Sequence, residues 1–383
     1  MKVLHVITGL GIGGAQTQLE LLLRHTRHEP EVVTLHNRGQ VADTIAQGGV
    51  RVRDLAMTRS TEVSALGRLH RIIREGRYDV VHTHLYRAQI YGHLAARLAG
   101  TRAIVTTEHS VGETPVERRR MTMPVRTVYR AAELCSHATV AVSDVVRNRL
   151  VAWGVPSRKI TVVPKAVDFA AVAFDPVGRV NVRMGWGIGP NVQVIGVLGH
   201  LGPDKRVDLV IRAAAPLLGE RRRLVVAGDG EERERLEQIV REVGVTEHVL
   251  FAGARRDLGA VLSSFDMLVA APAQETFGLA MLEALGNGLP LLYTTCPTLD
   301  GIVVERARQV PGDEVGLRRE LAAELHAPLH PRTPVPALCE RYGIESVAAR
   351  IDNLYERTAA RGPALERVTE TEEEWHGDLS PSA

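Results

Sequence analysis

The pattern of apolar and polar positions divides the chain into two kinds of segment, short β-branched runs and longer amphipathic segments, which follow each other in turn. The residues Gln16–His25, which follow the first run, have the apolar spacing of a helix. Strands that alternate with helices favour a parallel sheet covered by helices on both faces. The runs that predict buried strands in the first half are Val3–Ile7, Glu31–Leu35, Val50–Leu55, Val80–His84, Ala103–Glu108, Val140–Ser143 and Ile160–Pro164.

The pattern stops at a stretch rich in glycine and proline, 176–190, which predicts a linker, and then it restarts. Predicted strands of the second half are Val192–Leu198, Arg223–Ala227, Val249–Phe251, Met267–Ala271 and Pro290–Thr294, and predicted helices are Arg206–Leu218, Glu231–Val243 and Leu279–Leu285. The sequence therefore predicts an α/β protein with two Rossmann-like domains, 1–175 and 190–343. Two such domains leave a cleft between them, which is the usual place for a ligand.

The last 40 residues differ from the rest in pattern. A helix is predicted over 344–362, whereas 363–383 carries the acidic run Glu370–Glu374 and ends in Ser-Pro-Ser-Ala. That tail cannot bury enough apolar surface to order itself. We expect a disordered acidic tail at 363–383.

Composition narrows the classes of function. The chain has 383 residues, of which 45% are hydrophobic, and a formal net charge of +2. This charge is too small to indicate a nucleic-acid partner, and aromatic residues are too scarce, at 4%, to form stacking platforms for single strands. We therefore expect a globular protein of two domains that does not bind nucleic acid.

Cysteine usage and hydropathy bear on location. Cys135, Cys296 and Cys339 are far apart and odd in number, with neither metal-site spacing nor a disulfide framework, which fits a reducing cytoplasm. The first apolar run is too short for a leader, and none reaches the length of roughly 18 residues that a membrane span needs. We expect a cytoplasmic protein that at most associates with a membrane surface.

A glycine loop follows the first predicted strand. Gly9-Leu10-Gly11-Ile12-Gly13-Gly14 matches the G-x-G-x-x-G pattern of dinucleotide-binding enzymes. Those enzymes also carry an acid at the end of the second strand, where this chain has His36-Asn37-Arg38. An NAD(P)-binding oxidoreductase is therefore a weak alternative. The general interpretation is a tight turn that offers the N–H groups of Gly13 and Gly14 to an anion or a sugar.

Several motifs together resemble one enzyme family. They are VVHTH, TTEHS, AVSD and ITVVPKAVD in the first half, and GDG, VLFAGARRD and PAQETFGLAMLEALGNGLP in the second. In order and spacing, from Met1 to about Gly301, the chain resembles the family-4 glycosyltransferases of the GT-B fold. This resemblance implies a nucleotide-sugar donor bound mainly by the C-terminal domain, an acceptor bound mainly by the N-terminal domain, and net retention at the anomeric carbon. It also implies a C-terminal helix that crosses back to the first domain, here Ser346–Arg357.

The resemblance also implies roles for individual residues. Lys205 matches the family's phosphate-binding lysine, Glu275 is expected at the hydroxyls of the transferred sugar, and Glu283 at the ribose. The implied catalytic residues are His109, Lys205 and Glu275. The implied donor-binding residues are His200, Lys205, Arg255, Glu275, Phe277, Gly278, Leu279 and Glu283, and the implied acceptor or phosphate loop is Gly13, Gly14, Gln16 and His84.

Breaking a sugar–diphosphate bond loads negative charge onto the leaving phosphate, and something positive must meet it. The chain contains no Asp-x-Asp, so we expect no metal and no cofactor beyond the donor, with fixed cations and helix N-termini in their place. The spacing of Glu275 and Glu283 would also suit a two-carboxylate glycoside hydrolase, but that alternative explains neither Lys205 nor the two Rossmann-like halves.

Three departures from the family pattern are visible. His200 stands where an arginine is usual, Pro164-Lys165-Ala166 replaces Pro-Asn-Gly, and Cys296-Pro297-Thr298 replaces a Gly-Gly pair. The departure at His200 keeps open a second class of function, a GT-B protein that binds a nucleotide sugar without catalysis.

The sequence does not identify the acceptor, and it identifies neither the base nor the sugar of the donor. The segment 116–130 mixes arginines with apolar residues. It could line a site for an acidic or phosphorylated acceptor, lie against anionic lipid, or form an exposed helix beside the cleft. We expect a hexose-type donor and an acceptor that is a glycan, a lipid-linked molecule or a small molecule.

Overall fold

A computed structural model describes residues 1–11, 13–59, 61–109, 123–327 and 331–361. Their strands are β1 Lys2–Ile7, β2 Glu29–Thr34, β3 Arg51–Asp54, β4 Val80–His84, β5 Ala103–Glu108, β6 Ala138–Ala141, β7 Ile160–Val162, β8 Gln193–Leu198, β9 Arg222–Ala227, β10 Val249–Gly253, β11 Met267–Ala270, β12 Leu291–Tyr293 and β13 Ala307–Gln309. Their helices are α1 Gly14–His25, α2 Val41–Gln47, α3 Val63–Gly76, α4 Tyr86–Leu98, α5 Met123–Glu133, α6 Asp144–Ala152, α7 Pro176–Gly185, α8 Val207–Ala214, α9 Arg233–Glu242, α10 Leu258–Ser264, α11 Leu279–Gly286, α12 Glu314–Leu325, α13 Pro336–Tyr342 and α14 Ile344–Arg361.

The strands form two separate parallel sheets. The first has the order β3-β2-β1-β4-β5-β6-β7 and the second the order β10-β9-β8-β11-β12-β13. The chain reverses its direction of winding between β1 and β4 in the first sheet and between β8 and β11 in the second. Crevices at the carboxyl ends of such neighbouring strands are where open α/β sheets bind ligands. The predicted α/β class with two Rossmann-like domains is confirmed.

Strands in the middle of each sheet are buried on both faces, as is usual for parallel strands covered by helices, although β4 and β5 also contain polar residues. All five residues of β4 and all six of β5 are buried. Successive residues supply opposite faces, so Val3 and Val105 pack in one cluster while Leu4 and Ile104 pack in another.

Helix α14 crosses back to the first domain. Its residues Ile351 and Tyr355 belong to the same buried cluster as Val3 and Val105 of the first sheet. The carboxylate of Asp352 accepts hydrogen bonds from Thr26 Oγ1 at 2.7 Å and from the N–H of Arg27 at 3.0 Å. The C-terminal end of the described chain is thus anchored on the N-terminal domain.

The expected linker at 176–190 is wrong, because Pro176–Gly185 forms helix α7. Asp175 caps this helix by accepting from the N–H groups of Val177 at 3.0 Å and Gly178 at 2.8 Å. Pro176 occupies the first turn, where a missing N–H and a fixed φ favour a helix start. Because Arg183 of α7 pairs with Asp266 at 2.6 Å, this helix packs on the second domain.

Smaller differences concern element ends and the outermost regions. The helix expected at Arg206–Leu218 is α8, which ends at Ala214 and continues as a short 3-10 turn, and β13 was not predicted. Within the described ranges, no helix is both long and apolar enough to cross a membrane. The predicted tail 363–383 and residues 116–122 of the arginine-rich segment lie outside the described residues.

Candidate active site

Lys205 and Glu275 meet at the carboxyl edge of the second sheet. Lys205 ends a 3-10 turn after β8, Pro203–Lys205, and Glu275 lies in the loop after the neighbouring strand β11. Lys205 Nζ donates to Glu275 Oε2 at 2.9 Å, and Glu275 Oε1 accepts from the N–H groups of Thr276 at 2.8 Å and Phe277 at 3.1 Å. The structure therefore brings together two residues that the sequence placed 70 positions apart.

Both members of this pair are charged near neutral pH. Burial alone would lower the pKa of Lys205, but the charge and hydrogen bond of Glu275 outweigh it, so the pKa is raised. Burial acts to raise the pKa of Glu275, yet Lys205 and the two N–H groups hold it below its ordinary value. A fixed cation and a fixed carboxylate thus stand side by side before any substrate binds.

Gly278 begins helix α11 in a conformation that favours glycine. Its φ is +97°, in the left-handed region, and a Cβ there would lie 2.7 Å from Cys296 Sγ. The helix runs from Leu279 to Gly286, and its first N–H groups have no partners within the helix. Together with the helix dipole, these N–H groups form a surface suited to an anion. This surface lies close in sequence to Phe277, whose N–H donates to Glu275.

Glu283 lies in the second turn of α11. Burial raises the pKa of Glu283 to about 7. Among the described residues, it makes no side-chain hydrogen bond or ion pair. A half-buried carboxyl without a local partner fits a group that waits for the hydroxyls of a ligand, as the sequence predicts.

Two other predicted donor residues are held by local acids. Nδ1 of His200 lies 3.0 Å from the carbonyl oxygen of Asp229, and Nε2 lies 2.9 Å from the carboxylate of Glu231. Arg255 donates twice to Asp257, at 2.9 and 2.6 Å. Each of these two residues thus has a carboxylate neighbour, Glu231 for His200 and Asp257 for Arg255.

The first domain contributes a row of histidines. His109 follows β5, and its Nε2 lies 3.3 Å from Nδ1 of His84, the last residue of β4. Nε2 of His84 in turn lies 3.1 Å from Nδ1 of His5 in β1. Burial lowers the pKa of all three, and for His109, with a further contribution from the charge of Lys165, to about 3. These imidazoles are therefore neutral at physiological pH, and Nδ1 of His109 has no partner among the described residues.

Sequence reasoning missed His5, His82 and Lys165. His5 pairs in register with His82, while Ile7 pairs with His84, so parallel pairing of the two strands brings the histidines together. His82 is engaged on both sides, by Tyr355 at 2.5 Å and Thr107 at 2.7 Å. The signal was the repeated histidine in VVHTH, which could be interpreted only with the strand register known.

The glycine loop ends beside these histidines, because β1 and β4 are neighbours. Gln16 Nε2 donates to the carbonyl oxygen of Gly9 at 3.1 Å, which braces the loop from within. A Cβ on Gly9 would lie 2.8 Å from the carbonyl oxygen of His36, whereas a Cβ on Gly14 would meet nothing within 4 Å. Gly13 precedes α1 in an extended conformation, so Gly14 and the start of α1 face open space.

A small cavity of about 40 Å³ adjoins this row. His84, His109, Lys165 and Gln18 line it together with apolar residues of α14, including Ile344 and Ile351. Its volume suffices for a few waters. The polar groups of the cavity are the two imidazoles, the amine of Lys165, the amide of Gln18 and the hydroxyl of Thr107, and its other residues are apolar.

Comparison with known proteins agrees with this geometry. The family model "Glycosyltransferase Family 4" matches residues 12–171, and the model "Glycosyl transferases group 1" matches residues 181–316. The fold and site thus define a GT-B glycosyltransferase. The chain belongs to the family-4 glycosyltransferases, and the resemblance seen in its motifs is confirmed.

Individual relatives are distant. The chain is 27% identical over 243 residues to the UDP-Gal:α-D-GlcNAc-diphosphoundecaprenol α-1,3-galactosyltransferase of Escherichia coli, covering 61% of this chain and 62% of that protein. It is 28% identical over 319 residues to a D-inositol 3-phosphate glycosyltransferase of Actinosynnema mirum, covering 76% and 75%. The match thus spans less than two thirds of the Escherichia coli relative.

Solved structures share the fold across most of the chain. Anabaena HepE in complex with UDP-glucose aligns with a TM-score of 0.78 at 18% identity, covering 93% of this chain and 100% of that one. The sucrose-phosphate synthase of Thermosynechococcus elongatus aligns with a TM-score of 0.74 at 17% identity, covering 94% and 100%. At these identities the likeness shows the fold alone.

Proposed function

We propose that the protein transfers a hexose from a UDP-sugar to a hydroxyl of its acceptor, with net retention at the anomeric carbon and without a divalent metal. The observation that carries this proposal is the ion pair of Lys205 and Glu275 beside the N-terminus of α11. The choice of UDP is supported by HepE, which was solved with UDP and with UDP-glucose, and by the UDP-Gal-dependent relative.

In this reaction the bond between the anomeric carbon and the β-phosphate oxygen breaks, and a bond from that carbon to the acceptor oxygen forms. The electron pair of the broken bond stays on the diphosphate, whose added charge faces the Lys205 ammonium and the first N–H groups of α11. The acceptor proton passes to an oxygen of the departing phosphate on the same face, which is consistent with retention.

Glu275 is suited to orient the sugar. Its carboxylate is fixed by Lys205 and by two backbone N–H groups, and it retains acceptor capacity for a sugar hydroxyl. Glu283 is suited to accept hydrogen bonds from the ribose hydroxyls. His109, neutral and with Nδ1 unpartnered among the described residues, is suited to hydrogen-bond a hydroxyl near the anomeric carbon.

The proposed acceptors cover a wider range of molecules than the proposed donors. The relatives act on a diphosphoundecaprenol-linked sugar and on D-inositol 3-phosphate, and both of those acceptors carry phosphate. We therefore place phosphorylated acceptors, lipid-linked or small, first among the glycan, lipid-linked and small-molecule candidates.

The test is transfer from UDP-glucose, UDP-galactose and UDP-N-acetylglucosamine to a panel of phosphorylated acceptors, with UDP release and product NMR as readouts. We expect one donor to give product whose anomeric configuration equals that of the donor. Glu275→Gln should abolish transfer, whereas Glu305→Gln, the same change at an exposed site, should not.

An inverted product would refute the retaining mechanism. Donor binding with neither transfer nor slow hydrolysis would favour the second candidate, a non-catalytic nucleotide-sugar-binding protein. The observation that favours this candidate is the engagement of His200 by Glu231.

A further inference from the structure

Lys165 reaches from the first domain onto the donor loop of the second. It follows β7 and Pro164, and its Nζ lies 5.8 Å from the ring centroid of Phe277, the residue before Gly278. Gln18 fixes the next residue, Ala166, because its side chain accepts from the N–H at 2.6 Å and donates to the carbonyl oxygen at 2.9 Å. The amine is therefore held at the start of α11 by a rigid loop.

The charge of Glu275 acts on Lys165, but the two residues form no direct ion pair. Within the described part of the chain Lys165 makes no hydrogen bond or salt bridge, although it is half-buried. Burial lowers the pKa of Lys165, the charge of Glu275 acts in the opposite direction, and the charge of Lys205 adds to the lowering. A buried cation without a partner is unfavourable, so such a site gains when an anion enters it.

Two cations near the donor loop, Lys205 and Arg255, are already paired with acids, and His200 has a carboxylate neighbour. Lys205 pairs with Glu275 at 2.9 Å and lies 3.5 Å from Asp204. His200 lies 2.9 Å from the carboxylate of Glu231, and Arg255 pairs with Asp257 at 2.6 Å. The charges of Lys205 and Arg255 are therefore partly compensated before a diphosphate binds.

We propose that Lys165 supplies the second positive charge of the donor site by binding the diphosphate of the nucleotide sugar from the first-domain side. This inference rests on the proposed function. It assigns the diphosphate two lysines, one from each domain, with the N-terminus of α11 between them. Because the two lysines belong to different domains, donor binding also holds the cleft together.

Lysine is rare in this protein, which makes the amine easy to observe. Only Lys2, Lys159, Lys165 and Lys205 occur among the 47 lysine and arginine residues. Protein labelled biosynthetically with 13C-lysine should give four side-chain Cε signals. Lys165→Met identifies one of them by its absence, and titration with UDP then shows whether that amine meets the ligand.

The experiment measures the affinity of UDP and of uridine by calorimetry for the wild type, Lys165→Met and Lys165→Arg. Loss of a charge-assisted contact should weaken UDP about 10- to 100-fold in Lys165→Met. Uridine, which lacks phosphate, should bind both proteins equally, and Lys165→Arg should retain most of the affinity. Lys2→Met is the matched control, because Lys2 is exposed.

Thermal unfolding separates this role from a structural one. If Lys165 waits for an anion, Lys165→Met should leave the free protein at least as stable as the wild type, because an unpaired buried charge is removed. UDP affinity within about twofold of wild type, or a Lys165 signal that does not respond to UDP, would overturn the inference. A wild type that binds no UDP contradicts the proposed donor, and the inference falls with it.

Discussion

At Glu283, the negative charge should strengthen nucleotide binding and at the same time lower the stability of the fold. The carboxyl lies in the second turn of α11 without a local partner among the described residues, and burial raises its pKa to about 7. Glu283→Gln keeps the size and most of the polarity of the side chain but removes its charge. We expect the variant to be more stable than the wild type at pH 8 and to bind nucleotide less well.

The magnitude follows from the pKa. A rise from an ordinary 4.5 to about 7, at 1.36 kcal/mol per unit, corresponds to about 3 kcal/mol of destabilisation once the group is ionised. For an acid with a raised pKa, the folded state binds more protons than the unfolded state between the two values. Below about pH 4.5 the carboxyl is neutral in both states and does not lower the free energy of unfolding. As the pH rises from 4.5 toward 7, the contribution of Glu283 decreases that free energy progressively.

The assay is thermal unfolding of the wild type and Glu283→Gln between pH 5 and 8. At pH 5 the two should differ little, and at pH 8 the variant should melt roughly 5–10 °C higher, by the usual conversion for a domain of about 150 residues. Glu305→Gln, at an exposed site, is the control and should show no pH-dependent gap.

Nucleotide binding provides the second half of the test. Ribose hydroxyls donate to the ionised carboxylate, so UDP affinity of the wild type should increase from pH 6 to 8 and that of Glu283→Gln should not. If the stability difference is the same at pH 5 and pH 8, Glu283 does not ionise with a raised pKa in the folded protein. If UDP affinity is unchanged in the variant, the ribose assignment is wrong.

Three further predictions concern the reaction itself. Transfer should survive EDTA, and a loss beyond about tenfold that magnesium restores would contradict the metal-free mechanism. Lys205→Ala should lower turnover about 10²–10³-fold, the usual loss for one preorganised donor, and more than it weakens UDP-sugar binding; turnover within about threefold of wild type would contradict this role. Because the pKa of His109 is lowered to about 3, no inflection between pH 5 and 8 should belong to it, and an inflection that His109→Asn removes would refute a neutral imidazole.

Elements with strong local patterns were predictable from the sequence. Val80–His84 was predicted as a strand with the bounds that β4 has in the structure, because it is a short run rich in β-branched residues. The helix within the segment 176–190 was not predicted, because proline and glycine are common both in loops and at helix ends. Only the capping of Val177 and Gly178 by Asp175 shows that Pro176 starts a helix.

The parts of the site that depend on long-range placement could not be predicted. Lys205 and Glu275 were named from motifs, but their contact depends on β8 and β11 being neighbours in the sheet. Lys165 was visible only as a departure from a pattern. Its position over Phe277 depends on how one domain lies against the other, and no local sequence signal carries that information.

The two walls of the cleft differ in electrostatic character, and the difference suits the proposed reaction. Charged Lys205 and Glu275 stand on the second-domain side, where the leaving diphosphate gains negative charge. The first-domain side presents neutral imidazoles, beginning with His109, and the amine of Lys165 near the donor loop. Nδ1 of His109, which has no partner among the described residues, is suited to orient an incoming acceptor hydroxyl. The fixed charges therefore act on the bond that breaks, while the neutral groups orient the bond that forms.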